Sequence, residues 1–118
     1  MKTHRPFVLL LGLLLTASAS HGALSSIEES FELSPSDVTL PASATGRLVV
    51  RPCVACRPQL LSVDAATRYL LQPGTTPVTL EEFAKSKARA AGRRAAAVFV
   101  YYDPQTRNVR RLVLKPGR

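Results

Sequence analysis

One helical segment interrupts a chain that is otherwise patterned as short strands, and this limits the folds open to it. Thr79 stands at the N-cap position, and Glu82 follows at the spacing of a capping box. Gly92 is the natural stop, because glycine readily adopts the left-handed conformation that ends many helices. We expect one helix over residues 80–91, with an apolar stripe of Leu80, Phe83, Ala84, Ala88 and Ala91.

Short apolar or alternating segments on both sides of this helix predict strands. Four precede it, at Asp37–Leu40, Arg47–Arg51, Gln59–Val63 and Arg68–Gln72. After the helix, the uncharged run from Ala95 to Tyr102 is typical of a central strand covered on both faces. A turn that starts at Asp103 leads to its expected hairpin partner, Asn108–Lys115.

This order of elements predicts an α+β fold. We expect a small antiparallel sheet or an OB-like barrel of five to six strands, with one helix before a C-terminal hairpin. The barrel requires that Gln59–Val63 and Arg68–Gln72 form one bent strand. The chain is long enough for a single domain, which we place at residues 37–118.

The N-terminus has the composition of an export signal. Lys2 and Arg5 precede a nine-residue apolar run, and small residues follow it. The run is too short to span a bilayer, which takes about 20 apolar residues. We therefore expect residues 1–22 to be a signal peptide, cut after Ala19 or Gly22, and the product to be a soluble periplasmic or secreted protein with no transmembrane segment.

Charge is distributed unevenly along the chain. Residues 20–46 carry four acidic and no basic side chains, and we expect residues 23–36 to form a flexible acidic leader. Residues 47–118 carry 14 basic side chains against four acidic ones, a net charge of +10. Outside the cytoplasm such a surface meets anionic envelope components or acidic proteins. The few aromatic residues disfavour a nucleic acid partner.

Two cysteines at CxxC spacing, Cys53 and Cys56, lie between Pro52 and Pro58, which places them in a loop. In an oxidising compartment we expect them to form a disulfide. Arg51 and Arg57 flank the pair, a setting that favours thiolates, so thiol–disulfide exchange stays open, with Cys53 as the attacking residue. A dimer that shares a four-cysteine metal site is a further alternative.

Other chemistry is limited by the residues that are missing. A cut after Gly22 leaves no histidine, so a Ser or Cys hydrolase with an imidazole base is not expected. The adjacent carboxylates of Glu81 and Glu82 suit the start of a helix. Arg57 stands where covalent haem attachment needs histidine, and nothing in the sequence calls for a cofactor.

The basic residues of the helical region form the one candidate binding face. Lys87 and its neighbours Lys85, Arg89, Arg93 and Arg94 are predicted to bind anions, joined by Arg107, Arg110 and Arg111 from the hairpin. Alternatively, the acidic leader covers this face. We conclude that the sequence indicates an exported binding or accessory module and not an enzyme, with thiol–disulfide exchange as the alternative function.

Overall fold

The computed structural model describes residues 27–118, and the predicted signal peptide lies outside the described residues. Within these described residues seven strands form two sheets beside one helix, which confirms the α+β class. In chain order the elements are β1 (Glu29–Leu33), a 3₁₀ turn (Pro35–Asp37), β2 (Val38–Thr39), β3 (Gly46–Val50), β4 (Gln59–Val63), β5 (Arg68–Leu71), α1 (Leu80–Ala90), β6 (Ala97–Tyr102) and β7 (Val109–Lys115).

The larger sheet has the order β1-β6-β7-β5, and the smaller has the order β2-β3-β4. Strands β6 and β7 form the predicted C-terminal hairpin, with β6 in a central position. Within the described chain the two sheets meet at a single bridge between Ser62 and Asn108, and the Ser62 N–H donates to the Arg107 carbonyl oxygen at 2.9 Å. Because one bridge does not close the sheets on each other, the OB-like barrel is wrong.

The pairing of strand β5 differs from the predicted antiparallel sheet. The strand pairs in parallel with β7, so the sheet is mixed and not purely antiparallel. A parallel pair needs a crossover, and here α1 and β6 lie between the two strands in sequence. Since β4 and β5 belong to different sheets, they are not one bent strand.

The acidic leader predicted at residues 23–36 contains strand β1, so the folded region begins before Asp37. Strand β1 pairs antiparallel with β6 along its whole length, and Leu33 is buried against Val98 in the register. The Phe31 ring stacks on Tyr102, with 5.1 Å between the ring centroids. Two inward apolar side chains thus hold a segment whose acidic residues, Glu29 and Glu32, stay exposed.

Helix α1 packs against strands β5 and β7 of the larger sheet and against the 3₁₀ turn. The Thr79 hydroxyl accepts a hydrogen bond from the Glu82 N–H at 3.1 Å, which confirms the predicted N-cap. Phe83 is fully buried and meets the Tyr69 ring at a centroid distance of 5.3 Å. The chain leaves the helix at Gly92, whose φ of +80° is the left-handed conformation expected there.

The second half of the apolar stripe differs from the prediction. Ala88 and Ala91 are exposed, whereas Ala90 is buried and Lys87 is half-buried. The long aliphatic stem of lysine can cover apolar surface while its ammonium reaches water. Burial lowers the pKa of Lys87 because it penalises the charged form. An alanine-rich helix leaves the sequence pattern ambiguous, since exposed and buried alanines look alike.

Candidate functional site

A cavity at the C-terminal end of α1 brings two arginines together over an apolar floor. Its volume is about 280 Å³. Leu71 from β5, Ala90 from α1 and Leu114 from β7 supply apolar lining, and Ala90 and Leu114 are buried. The exposed Arg89 and Arg93 line the same cavity. We call this place the helix-end cavity; Gln72, Ser86 and Pro116 complete its lining.

Local structure fixes both arginines at this cavity. Arg89 lies in the last turn of α1, three residues after Ser86, and Ala90 lies four residues after Ser86, so both are neighbours of Ser86 on the helix surface. Arg93 follows the helix, and its N–H donates to the Ala90 carbonyl oxygen at 3.0 Å. On the sheet side, the Gln72 N–H donates to the Leu114 carbonyl oxygen at 2.9 Å.

Neither arginine is neutralised by the described chain. The ion pairs found within residues 27–118 do not include Arg89 or Arg93. Part of their positive charge is offset by the negative end of the helix dipole, which is worth less than about 1 kcal/mol at an exposed site. Two guanidinium groups therefore remain available to an anion at the rim of the cavity.

A second cavity of about 270 Å³ adjoins the first and shares Pro116 with it. Arg94, Lys115 and Arg118 line it. The Arg118 N–H donates to the Arg94 carbonyl oxygen at 3.0 Å, which holds the C-terminal segment in place. Gly117 has a φ of +77°, and a Cβ there would lie 2.6 Å from the Arg94 carbonyl oxygen.

Four of the five residues of the helical region predicted to bind anions have three different surroundings, and the fifth, Lys87, is half-buried. Lys85 pairs with Glu81 at 3.3 Å on the exposed side of the helix. Arg89 and Arg93 line the helix-end cavity, and Arg94 lines the neighbouring one. Sequence spacing grouped them by proximity along the chain, whereas the helix rotation and the turn after Gly92 separate them.

The arginines of β7, Arg110 and Arg111, are not part of this basic surface. Glu28 lies between them, 3.5 Å from a guanidinium nitrogen of Arg110 and 2.8 Å from one of Arg111. Arg110 also pairs with Asp103 at 3.3 Å, and the Arg111 guanidinium carbon lies 3.9 Å from the centre of the Tyr101 ring. The acidic segment therefore meets β7 and not the helical face.

Arg107 is also engaged outside the helix-end cavity. It donates a hydrogen bond to the Gln59 side-chain oxygen at 3.2 Å, next to the bridge between the sheets. The helical and hairpin arginines that the sequence suggested as one face thus occupy separate parts of the molecule.

Cys53 and Cys56 form the predicted disulfide. It closes the turn between β3 and β4, in which the Cys56 N–H donates to the Cys53 carbonyl oxygen at 3.1 Å. Cys53 is exposed and Cys56 is half-buried. The turn lies between two strands of a hairpin and not at a helix N-terminus, so no helix dipole stabilises a thiolate there.

Metal and acid–base chemistry have little support in the described part of the chain. Residues 27–118 contain no cluster of three or more His, Cys, Asp or Glu side chains arranged to hold a metal ion. The cysteines of the proposed shared site are bonded to each other here, so that alternative requires prior reduction. Glu81 is paired with Lys85, and Glu82 occupies the first helical turn beside its Thr79 cap.

Comparisons with protein-family models, with curated proteins and with solved structures find no match to this chain. Among the residues that the structure describes, no helix has the length and apolar character needed to cross a membrane. The site therefore has to be interpreted from its own geometry.

The sequence did not indicate the apolar half of the helix-end cavity. Leu71 and Leu114 come from strands that become neighbours only through the parallel pairing of β5 with β7. The sequence pattern predicted both segments as strands, but not that the end of α1 would leave a gap beside them. Ala90, the buried alanine of this lining, carried no signal of the cavity, because buried and exposed alanines look alike in an alanine-rich helix.

Proposed function

We propose that this protein is an exported single-domain binding module, not an enzyme, that takes an anionic group carried on a short apolar body. The observation that carries the proposal is the presence of Arg89 and Arg93 at one cavity with an apolar floor. The same cavity offers charge for the head of such a ligand and buried leucine surface for its tail. Both guanidinium groups lack an ion-pair partner within residues 27–118.

The size of the cavity limits the ligand. Sites for small molecules usually have volumes of about 300 to 1,000 Å³, and this one is at the lower limit. A carboxylate or phosphate with a short alkyl chain fits such a volume. Arginine suits both heads, because its planar guanidinium can donate two parallel hydrogen bonds to them.

The experiment measures binding of octanoate by isothermal titration calorimetry. Acetate supplies the head without the chain, and octylamine supplies the chain with the opposite charge. We expect octanoate to bind and both controls to show no heat at the same concentration. Binding of octylamine with equal affinity would contradict a site that selects its ligand by charge.

Two double variants locate the binding. R89Q/R93Q should lower octanoate affinity about a hundredfold, because it removes two charge-assisted hydrogen bonds worth about 1.5 kcal/mol each. R51Q/R57Q removes the same charge from exposed positions of the β3–β4 hairpin and should leave affinity unchanged. An equal loss in both variants would mean that net charge, and not the cavity, attracts the ligand.

Thiol–disulfide exchange is the second candidate, favoured by the exposure of Cys53 in a turn that carries two exposed arginines. In the first step a partner thiolate would attack Cys53 Sγ and release the Cys56 thiolate, giving a mixed disulfide. A second partner thiolate would then displace Cys53, so the partner is oxidised and the pair reduced.

Two variants separate exchange from a structural disulfide. Exchange predicts that C56A expressed in the native host traps specific adducts on Cys53. A structural disulfide predicts no such adducts. It also predicts that C53A/C56A lowers the free energy of unfolding by only about 2 kcal/mol, because the closed loop is short. A double variant that folds normally but loses its cellular role would favour exchange.

A further inference from the structure

The turn that the disulfide closes presents an apolar side chain directly to solvent. Val54 is 99% exposed, between two cysteines that are linked both by their disulfide and by a backbone hydrogen bond of 3.1 Å. Central turn positions favour Gly, Asn, Asp or Ser, and a β-branched apolar residue has no backbone role there. The fold therefore gives no reason for valine at this position.

The surroundings of Val54 distinguish it from an incidental surface residue, since scattered apolar side chains are normal on proteins. Val54 and Leu60 are two of the three large apolar side chains that are exposed within residues 27–118, and both belong to the β3–β4 hairpin. Leu60 is 48% exposed on the outer side of β4.

The charge of the same hairpin is entirely positive. Arg47, Arg51 and Arg57 are exposed, and no acidic residue occurs between Val38 and Val63. Arg51 and Arg57 lie directly outside the cysteine pair, so they flank the apolar tip. The hairpin thus combines an apolar end with cationic sides.

We propose that this hairpin tip docks the protein on an anionic lipid surface. Val54 enters the interface between headgroups and acyl chains, while Arg51 and Arg57 contact lipid phosphates. A lipid surface fits better than an acidic protein, because a stable protein interface buries about 800 Å² on each partner and a four-residue turn is too small to supply it. A fluid bilayer, in contrast, can accommodate a small projecting turn.

The expected affinity is low and the binding reversible. Each arginine near an anionic membrane contributes about a fivefold factor to the partition coefficient. Insertion of one valine side chain contributes about a tenfold factor. Binding should weaken as salt rises, since exposed charges are screened over about 8 Å at physiological ionic strength.

Sedimentation with vesicles tests the proposal. The vesicles contain equal parts of phosphatidylcholine and phosphatidylglycerol, with pure phosphatidylcholine vesicles for comparison. We expect the wild-type protein to bind the anionic vesicles, and V54D to lose about tenfold in partition. A65D adds the same charge at an exposed turn position between β4 and β5 and should lose little. Equal partition of V54D and A65D would overturn the proposal.

Two further variants separate this surface from the helix-end cavity. R51Q/R57Q should lose vesicle binding and keep octanoate binding, and R89Q/R93Q should do the reverse. The sequence contains no Trp, so V54W places a single indole at the tip. Its emission should shift to the blue with anionic vesicles only. An unshifted emission in the presence of bound protein would show that the tip stays in water.

Discussion

Two pairs of arginines in this molecule have the same chemistry and different surroundings. Arg110 and Arg111 of β7 share Glu28, which approaches within 2.8 Å of one of them. Arg89 and Arg93 at the end of α1 have no ion-pair partner in the described chain. The difference arises because the pairing of β1 with β6 brings Glu28 to Arg110 and Arg111 at the start of β7, whereas the helix-end cavity lies at Leu114, near the other end of that strand.

This comparison indicates which positive charges serve the fold and which are available for binding. The β7 pair is partly shielded, with about a third of each side chain exposed. Partly shielded ion pairs add to stability, whereas exposed arginines at a cavity rim add little. Local sequence does not distinguish the two pairs, because the acidic partner lies more than 80 positions away in the chain.

The largest expected effect is on stability. R110Q/R111Q should lower the free energy of unfolding by about 1 to 2 kcal/mol, because it removes the contacts with Glu28 and Asp103 and the cation–π contact with Tyr101. R89Q/R93Q should change it by less than about 0.5 kcal/mol. Urea denaturation measures both. Equal losses would mean that the helix-end arginines also serve the fold.

Two tyrosine hydroxyls extend the comparison to neutral groups. The Tyr69 hydroxyl is buried without a hydrogen-bond partner within the described residues, and burial raises its pKa. The Tyr102 hydroxyl donates to a Glu29 carboxylate oxygen at 2.9 Å. Y69F should therefore stabilise the protein by about 1 kcal/mol, and Y102F should destabilise it by a similar amount. Thermal and urea unfolding of both variants will show whether each change raises or lowers the free energy of unfolding.

Removal of the shared carboxylate tests how far Glu28 neutralises the β7 pair. E28Q should lower stability by less than about 1 kcal/mol, because the ion pairs are partly exposed. It should also increase retention on a heparin column, because Arg111 loses its carboxylate partner while Arg110 keeps Asp103. E32Q removes an exposed carboxylate of β1 and is the charge-matched control. Identical retention of E28Q and E32Q would contradict the role given to Glu28.

The smallest expected effect concerns acid stability near β7. Hydrogen bonds from the N–H groups of Gln105 and Thr106, together with Arg110, lower the pKa of Asp103. Folding thus favours the ionised carboxylate, and this stabilisation is complete above the ordinary pKa of about 3.9. It is lost as pH falls through the lowered value. In a plot of unfolding free energy against pH, D103N should therefore reduce the loss of stability at acid pH. An unchanged loss would show that Asp103 does not contribute.

Much of the fold could be predicted from local patterns. The cap at Thr79, the hairpin of β6 and β7, and the Cys53–Cys56 disulfide each depend on residues close in sequence. Strand β1 was harder, because its acidic residues suggested a flexible segment and its support from Tyr102 comes from the far end of the domain. The parallel partner of β5, strand β7, is also distant in the chain.

The site was less predictable than the fold. The sequence identified the basic residues, but not that Arg89 and Arg93 would share a cavity while Lys85 would pair with Glu81. It also suggested that the acidic leader covers the helical face, whereas Glu28 of that segment pairs with Arg111 of β7. Such pairings depend on which strands become neighbours, and hydrophobic periodicity does not specify this.

The most direct test of the account is a nuclear magnetic resonance titration of the wild-type protein with octanoate. We predict that the largest amide shifts fall on Ser86, Ala90 and Leu114, which line the helix-end cavity, with little change at Arg110 or Arg111. The shifts should saturate and should disappear in R89Q/R93Q. Shifts of equal size around the β7 arginines, or a titration that R89Q/R93Q leaves intact, would contradict the assignment of the helix-end cavity as the binding site.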